Sequence, residues 1–441
     1  MRPPSIILAG AVAALLASGC AAGGTVAPSA PAAGASPTAV ASAGTPTPAG
    51  PSPIAAASSD PWADDLAKAD TMVRASHPNP FANTKEAAWV AKLAELRGTL
   101  PTATPDQRVV QLASLVGLLD THSWLKDDTF HAYGVLLYPF SDGWYVVRAK
   151  DPELVGSRLV SIGGHPIADV EAAMRPLVPA DNESGKLDAL QEPMSTVEYL
   201  HGLGIVDDPA KPAYVFARPD GTEVTADLAS SPVASWFDDL GIIGGLVGTA
   251  PEAVARRSTP IWTRLDKPTK TFVISYSDFV QGGLAPALTA MTAALDDGAA
   301  ERVLLDMRYI RGGNGSLAAP LVEALKGDPR INRPGGLIVM IGRENVSAGT
   351  LTASILDAET KATFVGEMTP ARADNFLCRC VDIDLANSGL SIEIPTEQHV
   401  TGDPRLAIEP DVPVALSAAD FFAGRDPALQ AALALKDVPA P

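Results

Sequence analysis

The stretch GLIVMIGRENVSAGTLTASIL, residues 336–356, decides the fold of this 441-residue chain. Its first six residues form a short apolar run, which is typical of a buried β-strand. Residues 348–356 then fit a helix, and the loop before them places Ser347 where strand gives way to helix. A strand followed by a helix indicates an α/β layer structure, in which loops after the strand ends carry the functional site.

The same alternation of strand and helix continues on both sides of this stretch. Near-continuous apolar runs predict strands at 271–276, 303–307 and 363–366, and periodic apolar residues predict helices at 285–295 and 317–325. Strands of this kind are buried on both faces, which indicates a mainly parallel sheet covered by helices.

The part of the chain before residue 261 combines helices with short strands. Residues 60–119 predict three helices, which begin at Asp60-Pro61, near Asn83, and at the capping-box sequence Thr104-Pro105-Asp106-Gln107. From residue 134 to about 226, apolar residues alternate around Asp-Gly turns, a pattern that predicts β-hairpins.

The N-terminus has the pattern of an export signal. Arg2 precedes an apolar run, residues 6–17, that is too short to span a bilayer well. The run ends in Ala17-Ser18-Gly19-Cys20, which resembles the bacterial lipobox and implies a lipid on Cys20. The alternative is an ordinary signal peptide with Cys20 incidental. Residues 21–58, almost entirely Ala, Pro, Ser, Thr and Gly, favour the lipoprotein, because they would act as an unfolded tether.

Together these patterns predict how the chain is divided. We expect a signal peptide at 1–19, a disordered linker at 20–59, an N-terminal helical bundle at 60–130, a small β-rich module with a helical insertion at 131–260, and an α/β domain at 261–441. The segment 159–170 of the β-rich module resembles part of a PDZ-like module, and the strand-end loops of the last domain are where a catalytic site is expected.

Charge and cysteine content exclude several functions. The formal charge is −18, which a nucleic-acid backbone would repel, so we expect no nucleic-acid partner. Cys378 and Cys380, the cysteines other than Cys20, match neither a zinc ribbon nor a CxxC redox motif. They are equally compatible with two free thiols or a local disulfide. No grouping has zinc-ligand spacing, so we predict no metal and no cofactor.

Two loops contain candidate catalytic groups. Ser347 lies at the start of a helix, where the helix dipole favours the negative charge that develops during nucleophilic attack. The alternative is that Ser347 only caps the helix. The second loop, 311–316, contains Gly312 and Gly313, whose backbone N–H groups can approach a substrate closely, as an oxyanion hole requires.

The order of these motifs resembles the S41 family of serine peptidases, which includes the tail-specific proteases and the tricorn core. The resemblance extends over nearly all of residues 60–430. Its motifs are His77-Pro78-Asn79-Pro80-Phe81, Leu119-Asp120-Thr121-His122, Leu159-Val160-Ser161-Ile162-Gly163-Gly164, Leu304-Leu305-Asp306-Met307-Arg308, Ile341-Gly342, Val365-Gly366-Glu367-Met368-Thr369 and Ile408-Glu409-Pro410-Asp411.

The resemblance implies a role for each matched residue. Ser347 matches the nucleophile, and the N–H of Ala348 with that of Gly312 or Gly313 matches the oxyanion hole. In the tail-specific branch a lysine is the base, but here Arg372 stands at or near that position. Arginine stays protonated and cannot act as a base.

The tricorn-like branch uses a histidine, and Thr121-His122 stands at the matching point. His122 would then be the general base and Thr121 its orienting hydroxyl. For the supporting acid we choose Asp403 first and Glu397 second. The alternative for His122 is a capping or core histidine.

These inferences give an α/β fold, α+β overall, whose last domain is crotonase-like with ββα layers. The predicted function is an exported serine peptidase, anchored to the membrane by its lipid, that acts on a peptide or protein substrate. The alternatives are a catalytically inactive lipoprotein of the same fold that binds peptides or hydrophobic ligands, and an esterase that uses the same serine.

Overall fold

The computed structural model describes residues 61–126, 128–235 and 250–435. The predicted signal peptide, Cys20 and the linker lie outside these residues. The helices are α1 (Pro61–Ser76), α2 (Glu86–Thr99), α3 (Pro105–Val116), α4 (Ile167–Met174), α5 (Glu183–Ala189), α6 (Val197–Gly202), α7 (Glu252–Ala255), α8 (Leu284–Asp296), α9 (Ala319–Gly327), α10 (Ala348–Glu359), α11 (Ala418–Phe422) and α12 (Pro427–Ala434).

The strands belong to two larger sheets and three smaller ones. They are β1 (Trp124–Lys126), β2 (His131–Tyr133), β3 (Val135–Phe140), β4 (Gly143–Ala149), β5 (Arg158–Ile162), β6 (His165–Pro166), β7 (Tyr214–Ala217), β8 (Glu223–Ala226), β9 (Ser230–Pro232), β10 (Ile261–Asp266), β11 (Thr271–Tyr276), β12 (Arg302–Asp306), β13 (Leu337–Ile341), β14 (Thr363–Gly366), β15 (Phe376–Leu377), β16 (Val381–Asp384), β17 (Ser391–Ile394), β18 (Glu397–Gln398) and β19 (Val412–Pro413).

The C-terminal sheet has the strand order β10-β11-β12-β13-β14-β19. Its first pair, β10–β11, is antiparallel, and every later pair is parallel. The side chains of β11, β13 and β14 are buried along the whole strand, as the continuous apolar runs predict. The predicted α/β layered fold is therefore confirmed, and the loops after β12 and β13 leave the same edge of the sheet.

The N-terminal helices pack through regular apolar faces. Leu66, Ala69 and Val73 form the buried face of α1. The predicted capping box of α3 is present, because the Thr104 side chain and the Gln107 side chain each bond the other residue's backbone N–H. The start of α2 was predicted too early: the helix begins at Glu86, and Asn83 does not cap it.

One hydrophobic core connects parts of the chain that are far apart in sequence. It contains residues of α1–α3, of the sheet β3-β4-β5-β7-β8, and of the hairpin β16–β17. The hairpin joins through β1, where Leu125 pairs with Ile392. A separate core, which includes Leu305, Val339 and Phe364, lies beside the C-terminal sheet. The domain boundaries predicted before residue 261 stay a prediction.

Within the described ranges, none of the helices combines the length and the apolar character needed to cross a membrane.

Candidate active site

Ser347 adopts an unusual backbone conformation between β13 and α10. Its φ is 55° and its ψ is −121°, and it is one of few described non-glycine residues with positive φ. A non-glycine residue held in such a sparsely populated region costs about 1–3 kcal/mol, and residues strained in this way concentrate at functional sites. The strained turn projects the serine at the end of a parallel strand, where α/β proteins bind ligands.

The Ser347 side chain does not cap the helix. The residue occupies the cap position of α10, but its hydroxyl accepts no hydrogen bond from the first helical turn. The alternative of a simple helix cap is therefore not what the structure shows, and Oγ is not engaged by the helix N-terminus.

Buried hydrogen bonds fix the backbone around Ser347. Its carbonyl accepts hydrogen bonds from Asn375 Nδ2 at 2.7 Å and from the N–H of Leu351 at 2.9 Å. The Val346 N–H donates to the Ile310 carbonyl at 2.8 Å, and Asn345 Nδ2 donates to the Met307 carbonyl at 2.7 Å. These bonds join the serine loop to the end of β12 and to the segment 370–375.

The glycine loop lies directly against the serine. Gly312 has φ +139° and Gly313 has φ +126°, which are conformations that favour glycine. A Cβ atom added to Gly312 would lie 3.1 Å from Ser347 Cβ and 3.4 Å from its Oγ. Within the described ranges, the N–H groups of Gly312, Gly313 and Ala348 donate to no backbone acceptor. Open donors beside a nucleophile are the requirement of an oxyanion hole.

Arg311 fastens the glycine loop to the serine loop. Its Nη2 donates to Asp188 Oδ1 at 2.6 Å, and its Nε donates to Glu344 Oε2 at 3.2 Å. Glu344 also pairs with Arg257 at 2.7 Å, so two arginine side chains compensate the negative charge of its buried carboxylate. Buried charges paired in this way hold a fixed geometry.

His122 is completely buried, and both of its ring nitrogens lack a hydrogen-bond partner in the described part of the chain. Burial lowers the pKa of His122, although the charges of Asp120 and Asp181 act in the opposite direction. The imidazole is therefore neutral near pH 7, which is the form that a general base requires.

Asp120 links His122 to a second histidine. Asp120 Oδ1 accepts the backbone N–H of His122 at 2.8 Å, and Oδ2 accepts Ser123 Oγ–H at 3.0 Å. His77 Nε2 lies 2.6 Å from Oδ2, while His77 Nδ1 accepts the Asn79 N–H at 3.1 Å. Because Nδ1 is an acceptor, we assign the proton to Nε2, which donates to Asp120.

This network keeps Asp120 charged although it is buried. Burial alone would raise the pKa of Asp120, but the hydrogen bonds from the His77 side chain and the His122 backbone N–H hold that pKa below its usual range. The Asp120 carboxylate is 4.0 Å from His122 Nδ1, which is too long for a hydrogen bond.

The Thr121 hydroxyl makes a different contact from the one predicted. It donates to the Pro370 carbonyl at 3.2 Å and accepts the Asp181 N–H at 2.9 Å. It makes no hydrogen bond to the His122 ring, whose nitrogens are unpartnered. Thr121 therefore joins the His122 segment to residues 370–375, the segment that also holds Ser347 through Asn375.

The two candidate acids do not contact His122. Both carboxylate oxygens of Asp403 bind Arg405 Nε, at 3.0 and 2.9 Å. Glu397 is exposed and pairs with Arg379 at 3.5 Å. Neither carboxylate bonds the His122 ring, whose nitrogens are unpartnered, so the choice of Asp403 or Glu397 as the supporting acid stays a prediction.

Arg372, which stands where a tail-specific protease has its lysine, is also engaged. Its Nε lies 3.2 Å from Asp181 Oδ1, its backbone N–H donates to Asp181 Oδ2 at 3.0 Å, and its guanidinium bonds Asn83. Asn83 donates in turn to Asp181 Oδ1 at 2.8 Å. This cluster explains why Asn83 does not cap α2.

Sequence reasoning missed Asp120, His77 and Asn375 as parts of the site. Asp120 and His77 stand inside motifs quoted above, but their pairing across 43 residues has no local signal. Asn375 follows no recognisable motif. The sequence did predict four neighbouring site residues, which the structure places side by side: Ser347, Gly312, Gly313 and Ala348.

Comparison with solved structures identifies the fold. Mature CPAF complexed with lactacystin matches at 15% identity, over 82% of this chain and 95% of that chain, with a TM-score of 0.58. A Ser-to-Ala variant of CPAF matches at 14% identity, over 86% and 99%, with a TM-score of 0.59. The tricorn protease matches at 11% identity, over 84% of this chain and 36% of that chain, with a TM-score of 0.37.

No protein-family model matches the chain, and no curated protein sequence matches it either. At identities of 14–15%, the two CPAF matches show a shared fold alone. The chain therefore has the same fold as CPAF.

Proposed function

We propose that this protein is a serine-type peptidase that forms an acyl-enzyme on Ser347, with His122 as general base. One observation carries the proposal: Ser347 is held at positive φ at a strand-to-helix turn, its hydroxyl does not cap the helix, and Gly312 packs against it. A serine used only for packing or capping requires none of these features.

The chemistry follows from the groups around Ser347. Neutral His122 takes the hydroxyl proton as Oγ attacks the peptide carbonyl, and the oxyanion accepts hydrogen bonds from the N–H groups of Ala348 and the glycine loop. His122 then protonates the leaving amine, and water hydrolyses the ester that remains. For the first step the imidazole must come within hydrogen-bond reach of Oγ, and catalytic hydrogen bonds often tighten only when substrate binds.

Asp120 would stabilise the protonated His122 that forms during the reaction. Its carboxylate is charged, buried and 4.0 Å from Nδ1, so the attraction acts in a medium of low dielectric. In this proposal Asp120 takes the part for which the sequence suggested Asp403.

A fluorophosphonate probe tests the nucleophile. We expect one covalent adduct per chain, located on Ser347 by peptide mass analysis and lost in Ser347→Ala. Ser354→Ala, which changes a buried serine of the same helix, is the matched control and should label normally. A folded protein that neither labels nor cleaves a diverse peptide library would remove the proposal.

A second candidate is a non-catalytic protein that binds peptides or hydrophobic ligands. The observation that favours it is the unpartnered His122 ring, because His122 and Ser347 are not hydrogen-bonded in this structure. Peptide binding without labelling or turnover would support this candidate. Hydrolysis of small esters but not of peptides would instead indicate an esterase.

We further propose that the chain is exported and anchored through a lipid on Cys20, with residues 20–59 as the spacer. The motif Ala17-Ser18-Gly19-Cys20 and the composition of the following segment support this. Mass analysis of the mature N-terminus tests it, and an unmodified chain that starts elsewhere would refute it.

A further inference from the structure

A group of potential metal ligands lies outside the candidate active site. The sulfur atoms of Cys378 and Cys380 and a carboxylate oxygen of Glu393 all lie within 4.8 Å of one another. The two cysteines form a disulfide with Cα atoms 4.5 Å apart, in the turn between β15 and β16. Glu393 projects from β17, so the group joins two elements of the chain.

Glu393 is buried in a way that leaves one oxygen without a partner. The residue is 2% exposed, and its Oε2 accepts Lys126 Nζ at 2.6 Å. Its Oε1 is buried and has no hydrogen-bond partner in the described part of the chain. An unsatisfied buried acceptor costs about 1–3 kcal/mol, so an additional partner for Oε1 would be favourable. Burial also raises the pKa of Glu393, against the effect of Lys126.

We propose that Cys378, Cys380 and Glu393 form a metal site for a thiophilic divalent cation, Zn²⁺ in the first place, when the disulfide is reduced. Two thiolates and one carboxylate are suitable zinc ligands, and water would complete a tetrahedral shell. The disulfide and the metal site exclude each other, because the same two sulfur atoms form both.

The metal would remove most of the negative charge at the site. Two thiolates and one carboxylate carry −3, Zn²⁺ reduces this to −1, and the Lys126 ammonium, which Glu393 shares with Asp382, faces the remainder. Lys126 already forms an ion pair with Glu393, so its ammonium is placed to compensate the negative charge of the ligands that the cation does not neutralise. Without the cation, two thiolates beside a buried carboxylate would repel one another.

The reaction that opens the site is ordinary thiol–disulfide exchange. A dithiol supplies two electrons and two protons, which convert the disulfide to two thiols, and the dithiol is itself oxidised to a disulfide. Each thiol then loses its proton to the solvent as it binds the cation. Binding of one cation should therefore release close to two protons when the thiols start protonated.

Metal titration of the full chain, before and after reduction, tests the proposal. A phosphine reductant is applied and removed, and the thiols of one portion are counted with an alkylating reagent. Cd²⁺ is added to a second, unalkylated portion as a probe with a thiolate charge-transfer band in the ultraviolet. Zn²⁺ is then titrated against a chromophoric chelator. We expect one ion per reduced chain and none on the oxidised chain.

Variants separate this site from other thiols and acidic groups. Cys378→Ser with Cys380→Ser should abolish the band although Cys20 remains. Glu393→Gln should weaken binding roughly 10-fold or more. The matched control is Asp382→Asn, because Asp382 also pairs with Lys126, at 2.9 Å, but is not one of the three ligands. The affinity of this variant for the metal should stay within threefold of wild type.

Three results would overturn the proposal: a reduced chain that binds no ion, binding that persists in the double cysteine variant, or equal affinities for Glu393→Gln and wild type. If Glu393→Gln does not fold, as judged by circular dichroism, Glu393→Asp gives the same comparison with a shorter carboxylate. A disulfide that resists reduction in the folded protein would count against the proposal as well. These readouts do not involve Ser347, so they are independent of peptidase activity.

Discussion

Replacement of Gly312 by alanine is the sharpest test of the contact between the glycine loop and the serine. The new methyl group would lie 3.1 Å from Ser347 Cβ and 3.4 Å from Oγ, so one of the two loops must shift by a few tenths of an ångström. The backbone at φ +139° also becomes strained, because an L side chain rarely adopts this conformation.

The expected effect has two parts. Backbone strain of this kind costs about 1–3 kcal/mol of folding stability. Alanine keeps the backbone N–H, but the shift displaces it from the oxyanion; complete loss of one donor, about 10²–10³-fold in rate or roughly 2.7–4 kcal/mol of transition-state stabilisation, sets the upper limit of this part. We therefore expect Gly312→Ala to remain folded and to label with fluorophosphonate about 100-fold more slowly than wild type.

Gly143→Ala is the matched control. Gly143 has φ +132°, close to the value at Gly312, but an added Cβ would meet nothing nearer than Arg158 Cδ at 3.6 Å. The control should lose a similar amount of stability in urea denaturation and should label within about threefold of wild type. If both variants label at the same rate, the glycine loop does not position or assist Ser347, and the oxyanion-hole assignment is wrong.

Three further predictions concern the buried charges. Because burial lowers the pKa of His122, it stays neutral as the pH falls through 6.5, so the labelling rate should be flat there and decline only at more acidic pH. The unfolded chain does take up a proton near pH 6.5, so His122 should make the urea midpoint fall as the pH drops below that value. Asp120→Asn should cost about 1–3 kcal/mol in urea denaturation, because an amide leaves one of the buried donors that now bond the carboxylate without an acceptor; an unchanged midpoint would contradict this. Arg311→Met leaves Asp188 and Glu344 without this partner, and it should slow labelling of the folded protein as well as destabilise it by a few kcal/mol. Equal labelling of folded Arg311→Met and wild type would show that the ion pairs do not hold the glycine loop.

The elements that the sequence predicted best are those with strong local patterns. The strands at 271–276 and 363–366 begin and end at the predicted residues, because their apolar runs are continuous and sharply bounded. The position of Ser347 followed from the same patterns, since a strand run and a helix run meet around it. The capping box at Thr104 was also a local feature.

The predictions that failed depend on partners distant in sequence. Asparagine is common at helix caps, but the side-chain amide of Asn83 donates hydrogen bonds to Leu119, Ala180 and Asp181 in the folded chain. Thr121 stands beside His122 in the sequence, but in this structure its hydroxyl bonds the Pro370 carbonyl and the Asp181 N–H, 249 and 60 residues away. No periodicity or spacing reports such long-range competition for a polar group.

The hairpin β16–β17 has a consequence for biosynthesis. Its apolar residues Ile383, Leu385, Leu390, Ile392 and Ile394 complete a core that otherwise belongs to the first half of the chain. Burial of each such side chain contributes roughly 1.5–3 kcal/mol, so together they match the net stability of a typical domain. The core of the N-terminal half is therefore completed only after residue 394 has left the ribosome. A chain that ends before this hairpin would leave the N-terminal core open, so folding of the first half depends on synthesis of the second.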